Sequence, residues 1–147
     1  MKRVMLKSKD LNKLLEEYHF EAKKKDIVEC VENKVILINK IPSFFYYEKK
    51  LIPTVRMLAQ KSLLKEIIVD MGAVKFVIGG ADIMRPGIIE MDSEIKEGEA
   101  VVILDANNKK PLAVGIALFD GKTMQSMSSG KVIKNIHQVG DEIWKTI

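Results

Sequence analysis

The chain has 147 residues, 47% of them hydrophobic and 30% charged, with 24 Lys+Arg against 20 Asp+Glu and a single cysteine. That length allows one ordinary domain or two small ones, and the apolar fraction excludes wholesale disorder. No apolar run approaches the ~20 residues that span a bilayer, the basic N-terminus lacks a signal peptide's apolar core, and Cys30 alone supports neither a disulfide framework nor a thiolate metal cluster. A cytoplasmic chain without a membrane is the expectation.

Charge is unevenly placed. Residues 1–70 hold 15 Lys+Arg against 10 Asp+Glu, and residues 71–147 hold 9 against 10. A basic half invites a polyanion through phosphate contacts and counterion release, although lysine-rich surfaces also serve solubility alone.

Arg3-Val4-Met5-Leu6 reads as a short strand. Leu11, Leu14, Leu15 and Tyr18 then recur at i, i+3, i+4 and i+7, predicting an amphipathic helix with Ser8 or Asp10 as N-cap. Lys23-Lys24-Lys25 is a solvated loop. Strands are expected at 27–31 and 35–38 around a turn at Glu32-Asn33-Lys34, and at Phe44-Phe45-Tyr46-Tyr47. Pro53 suits a helix's first turn, with Val55, Leu58 and Ala59 continuing at helical spacing.

Beyond about residue 66, Val74, Phe76 and Ile78 alternate with Lys75 and Val77 and predict a strand stopped by Gly79-Gly80. A helical turn over residues 81–84 follows, then Pro86-Gly87 leading into another strand at Ile88. Further strands are expected over 101–104 and 112–119, with Asn107-Asn108 and Asp120-Gly121 as hairpin turns and Gly115 as a bulge or a bend around a barrel corner. Many short strands argue for a small barrel. The fold class is α+β: a small N-terminal α+β domain over 1–70, then a mixed β pseudo-barrel over 71–147.

Several catalytic patterns nearly appear. Gly121-Lys122-Thr123 ends like a phosphate loop, but Gly115 is one residue too far away and bulky residues lie between. Ser62-Leu63-Leu64-Lys65 has no partner motifs. His19 and His137 lack ligands at metal spacing and read as surface or packing residues, and Cys30 as a buried small hydrophobe. Trp144 reads as an anchor holding the C-terminal end onto the barrel. The expectation is a non-enzyme with no catalytic residues, metal or cofactor.

One stretch stands apart: Lys75-Phe76-Val77-Ile78-Gly79-Gly80-Ala81-Asp82-Ile83-Met84-Arg85-Pro86-Gly87-Ile88. Small residues there admit another backbone, a helix N-terminus offers amides to an anion, and Arg85 adds a fork for phosphate or a base edge. The competing reading is a tight structural corner. The stretch resembles the opening of the PUA domain, named for pseudouridine synthases and archaeosine transglycosylases. The likeness continues through residues 95–98, Ala113-Val114-Gly115-Ile116-Ala117, Gly130-Lys131-Val132-Ile133-Lys134-Asn135-Ile136-His137 and Val139-Gly140-Asp141-Glu142-Ile143-Trp144. Ile52-Pro53-Thr54-Val55-Arg56-Met57-Leu58 and Asp70-Met71-Gly72-Ala73-Val74-Lys75-Phe76-Val77 resemble the pre-PUA region of the malignant T-cell-amplified sequence family, in an archaeal-type form.

The resemblance implies a pseudo-barrel that binds structured RNA, tRNA or ribosomal RNA, in translation. Carried over residue by residue, it points to Gly79, Gly80, Ala81, Asp82, Met84, Arg85, Pro86 and Gly87, with Lys131 and Lys134 from the later segment. Asp82 is unfavourable beside phosphate unless it caps a turn or accepts from a base or a 2′-hydroxyl. Lys2, Arg3, Lys23 to Lys25, Lys49, Lys50 and Arg56 would add phosphate contacts or dock a translation-factor protein; DNA is not expected. Two alternatives remain: a protein-interaction module, motivated by the four adjacent aromatics 44–47, and an accessory subunit of an RNA-modifying enzyme.

Overall fold

The computed structural model describes all 147 residues, and the chain divides into two units, residues 1–63 with 142–147 and residues 64–141. The division lies ahead of the expected 70/71 boundary because residues 65–69 form a strand of the second unit's sheet.

The first unit is a five-stranded antiparallel sheet with order β1-β2-β3-β4-β5, built from β1 (Arg3–Leu6), β2 (Val28–Val31), β3 (Val35–Ile38), β4 (Ile41–Tyr47) and β5 (Lys50–Pro53). Turns at Glu32-Asn33, Asn39-Lys40 and Glu48-Lys49 place both central residues at positive φ, the geometry whose twist matches that of paired strands. Helix α1 (Ser8–Leu14) runs on into a 3-10 turn, Glu16–Tyr18. Leu11, Leu15 and Tyr18 are buried but Leu14 is 55% exposed, since the tighter turn after Leu14 rotates the expected stripe. Neither Ser8 nor Asp10 caps α1; Lys7 occupies that position without a side-chain bond. Pro53 ends β5 rather than opening a helix, and the Thr54 hydroxyl caps α2 (Val55–Leu58) by accepting the Met57 amide at 3.1 Å.

Phe44 and Phe45 are 0% and 1% exposed, and the Phe44 ring lies 6.2 Å from Tyr18 and 5.3 Å from Phe20. The aromatic run is therefore core, with only Tyr46 and Tyr47 half-buried. Trp144 groups with this unit: the Arg56 guanidinium sits 3.8 Å above its ring, and Arg56 Nε donates to its carbonyl at 3.2 Å. Cys30 is half-buried, and burial pushes its thiol pKa up.

The second unit holds β6 (Lys65–Val69), α3 (Val74–Ile78), β7 (Ile83–Met84), β8 (Ile88–Met91), β9 (Ala100–Asp105), β10 (Pro111–Ala117), α4 (Gly121–Ser126) and β11 (Lys131–Gln138). Its sheet order is β7-β11-β10-β9-β6-β8, with β6 parallel to β9 and the other pairs antiparallel. The two edge strands, β7 and β8, are joined by only the 3-10 turn Arg85–Gly87, so the sheet has to curl to bring its edges towards each other. Ile67, Val69, Val101, Ile103, Ala113, Val132 and Ile133 fill the interior.

Three local expectations are corrected here. Residues 74–78 are helical, because an almost wholly apolar window of five satisfies both periods, and buried Val77 with the partly buried Ala73 and Val74 forms one helical stripe. Residues 81–84 form no helical turn but lead into β7, so no helix N-terminus faces an anion there. Asp120 is a helix N-cap, accepting the Thr123 amide at 2.8 Å, rather than a hairpin residue. The pairing does slip at Gly115, although the extra residue is Ile136 on the facing strand β11, and Asn107-Asn108 do lie in the β9–β10 turn.

That turn hangs on Asp105, which is 5% exposed and accepts the Asn108 amide at 2.6 Å and the Lys110 amide at 3.2 Å. The Asn108 amide bond, foremost, holds its carboxyl below the usual carboxylate range, as the Thr123 amide does for Asp120. A depressed carboxylate stabilises the fold above its unfolded pKa, near 4, and that contribution is lost as pH falls through the folded pKa. Thermal unfolding midpoints should fall steeply below about pH 4. Asp105→Asn should be less stable at neutral pH and show a flatter acid limb; an unchanged limb would remove Asp105 from the account.

Candidate nucleic-acid interface

The second unit carries an open cleft of about 440 Å³ between α3 and the loop leading through β7, lined by residues including Asp70, Ala73, Phe76, Ala81, Asp82, Met84 and Pro86. Around it Met71, Phe76, Ile78 and Met84 are 45%, 59%, 41% and 50% exposed. Helix α3 turns Val77 into the core and leaves Phe76 outside, with the Lys75 ammonium 5.2 Å from its ring centre.

The wall opposite α3 is held rigidly. Gly80 adopts φ +93° and closes the turn after α3, with its amide donating to the Val77 carbonyl at 3.0 Å; only glycine takes that φ without strain. The Asp82 carboxylate accepts the Asn135 amide at 2.9 Å and pairs with the Lys131 ammonium at 3.3 Å. Asp70, the cleft's other carboxylate, accepts the Ala73 amide at 3.0 Å. Both acids are thus used in holding backbone, and the rest of the lining is mainly apolar.

The expected site residues divide accordingly. Gly79, Gly80, Ala81, Met84 and Pro86 are exposed on the loop, Gly87 and Asp82 are half-buried, and Lys131 and Lys134 are exposed on β11. Arg85 is half-buried, and its guanidinium braces backbone: Nε donates to the Met124 carbonyl at 2.7 Å and Nη1 to that of Ile88 at 3.3 Å. Sequence reasoning left Asp70, Met71, Phe76 and Asn135 out of the site. A helical reading of 74–78 would have exposed Phe76. Asn135 carried no such signal, because Lys131, Lys134, His137 and Gln138 make β11 polar along much of its length.

His137, wholly buried, contacts the Asp141 carboxylate through Nδ1 at 2.9 Å and is a packing residue. No helix is long and apolar enough to cross a membrane.

Residues 65–139 match the PUA domain, and residues 2–61 match a domain of unknown function, DUF1947. The chain belongs to the PUA-domain family. An uncharacterized protein of Methanocaldococcus jannaschii is 44% identical over 97% of this chain and 95% of its own length. Malignant T-cell-amplified sequence 2 of Homo sapiens is 32% identical over 80% of this chain and 68% of its own. Translation machinery-associated protein 20 of Schizosaccharomyces pombe is 30% identical over 76% of this chain and 64% of its own. Among solved structures, a hypothetical protein of Pyrococcus horikoshii superposes with TM-score 0.85 at 32% identity, covering 99% of this chain and 100% of that one. The archaeal box H/ACA sRNP Nop10–Cbf5 complex contains a chain matching 65% of this one, over 30% of its own length, with TM-score 0.53 and 25% identity. This PUA protein is thus homologous to the malignant T-cell-amplified sequence and translation machinery-associated protein 20 group, with a mixed α+β fold like that of its structural neighbours.

Proposed function

We propose that this PUA protein is a non-enzymatic, cytoplasmic RNA-binding protein that holds structured tRNA or ribosomal RNA in translation, through the cleft walled by α3 and residues 79–87. The PUA match and the translation-associated relatives support the general role. The observation that carries the choice of site is the cleft itself, apolar inside, with Phe76 and Met84 half or more exposed at its rim. Such a surface suits an unstacked base or a ribose, since proteins read RNA by stacking splayed bases and by 2′-hydroxyl contacts. Lys75, beside the Phe76 ring, and Lys131, paired with Asp82, lie next to it, and these with the exposed Lys134 of β11 supply phosphate contacts. Arg85 serves as a brace for the turn between β7 and β8 rather than as a phosphate fork. The interaction-module reading loses its motive, because Phe44 and Phe45 are core.

Titration of tRNA and small-subunit ribosomal RNA at two salt concentrations tests the proposal. Affinity should fall at least tenfold between about 50 and 200 mM salt if several lysines touch phosphate. Phe76→Ala should weaken binding about tenfold, the low end of a lost base stack, while the exposed position spares the fold. Salt-indifferent binding, or an affinity untouched by Phe76→Ala and Met84→Ala together, would overturn the assignment of the cleft.

A further inference from the structure

The segment 79–82, whose Ala81 and Asp82 line the cleft, has little regular structure of its own. Its inner bonds are short-range: the Gly79 amide donates to the Lys75 carbonyl at 3.1 Å, that of Gly80 to Val77 at 3.0 Å and that of Ala81 to Phe76 at 3.0 Å. Two side chains from β11 tie it to the sheet: Lys131 pairs with Asp82 at 3.3 Å, and Asn135 holds the backbone on both sides. Asn135 Nδ2 donates to the Val77 carbonyl and to the Ala81 carbonyl, each at 3.0 Å, while the Asn135 backbone amide donates to Asp82 Oδ1 at 2.9 Å. Both ends of the loop are therefore gripped by a single residue.

The grip depends on a fault in the strand. Asn135 pairs with Gly115 and His137 with Val114, so Ile136 is an extra residue bulged out of β11. A bulge re-aims its neighbours, and here Asn135 reaches the loop while His137 is buried. Asn135 Oδ1 is itself buried and has no hydrogen-bond partner. An orphaned buried acceptor is costly, so the residue's contribution lies in its two amide hydrogens. The orientation follows from its surroundings, since the flipped amide would set oxygen against two carbonyl oxygens.

We propose that Asn135 is the positioning residue of the RNA site: it touches no RNA, and holds residues 79–82 in the shape that receives it. The inference rests on the cleft being the RNA site. It separates the loop's shape from the surface lysines, because the clamp contributes geometry and no charge.

The test compares Asn135→Asp, which keeps size but removes both donors, with Phe76→Ala in the full chain. Two quantities are read well below the unfolding transition: tRNA affinity and amide hydrogen exchange. Asn135→Asp should speed exchange at Gly80 and Ala81, leave β9 and β10 protected as in the parent, and weaken tRNA binding about tenfold. Its loss should be less than additive with that of Met84→Ala, because a displaced loop already misplaces Met84; a purely structural effect on global stability would leave the two additive. Asn135→Ala, which adds no charge, should give the same loop exchange and a similar loss of affinity; a loss confined to the aspartate variant would be charge repulsion and would overturn the positioning role. Faster loop exchange with undiminished affinity, while Phe76→Ala still weakens binding, would overturn the positioning role and leave the site standing. Weakened binding with unchanged loop exchange would overturn it as well. If neither Asn135→Asp nor Phe76→Ala altered affinity, the cleft itself would be the wrong site.

Discussion

Gly115→Ala should lower the unfolding free energy by about 3 kcal/mol, the upper part of the range for overpacking a filled interior. A Cβ at Gly115 would stand 2.4 Å from Ile133 Cγ2 and 2.9 Å from the Lys134 carbonyl oxygen. Ile133 is wholly buried, so its side chain has little room to turn aside, and the second obstacle is backbone. Strand β11 has to move off β10 at the bulge. For a unit of this size that corresponds to a melting midpoint lower by more than about 10 °C. Because the same step carries Asn135, exchange at Gly80 and Ala81 should rise as well. Thermal unfolding and hydrogen exchange measure both effects; an unchanged midpoint would show that β10 and β11 separate at negligible cost.

Phe44→Ala should cost about 3–5 kcal/mol, the usual range for emptying a buried phenylalanine site. Its ring is wholly buried and meets both Tyr18 and Phe20, so one truncation loosens the 3-10 turn, the following segment and the middle of the sheet together. Urea unfolding monitored by exchange of β3 and β4 amides measures the loss. Tyr47→Ala on the same strand should cost far less, since Tyr47 is only half-buried. Equal losses would contradict the facing of β4 described above.

Both expectations turn on facts of different legibility. The aromatic run was visible as a strand in the sequence, and so was the irregularity at Gly115. Which aromatics faced inward was not, because two buried neighbours on one strand require a covered layer on each side. The contact of Trp144 with Arg56 was not legible either. The loop of residues 79–87 was singled out by its glycines and by family resemblance. Its local structure differed at the supposed turn over 81–84, and the backbone bonds of Arg85 to Met124 and Ile88 were not legible, because partners distant in sequence make them.

Local pattern by itself determined the α+β class, most of the strands, the tight turn at Glu32-Asn33 and the family, because each rests on neighbours within a few residues or on an ordered series of motifs. It also marked the segment that walls the cleft. Tertiary structure alone decided that residues 74–78 coil rather than extend, since their helical stripe shows only when Val77 is buried and Phe76 is not. It alone decided that Asp82 meets Asn135, 53 residues away, and that Arg85 meets Met124, 39 residues away. The physical reason is common to these cases: a side chain's role is set by which backbone groups the curled sheet brings within hydrogen-bond reach, and sequence spacing carries no measure of that distance.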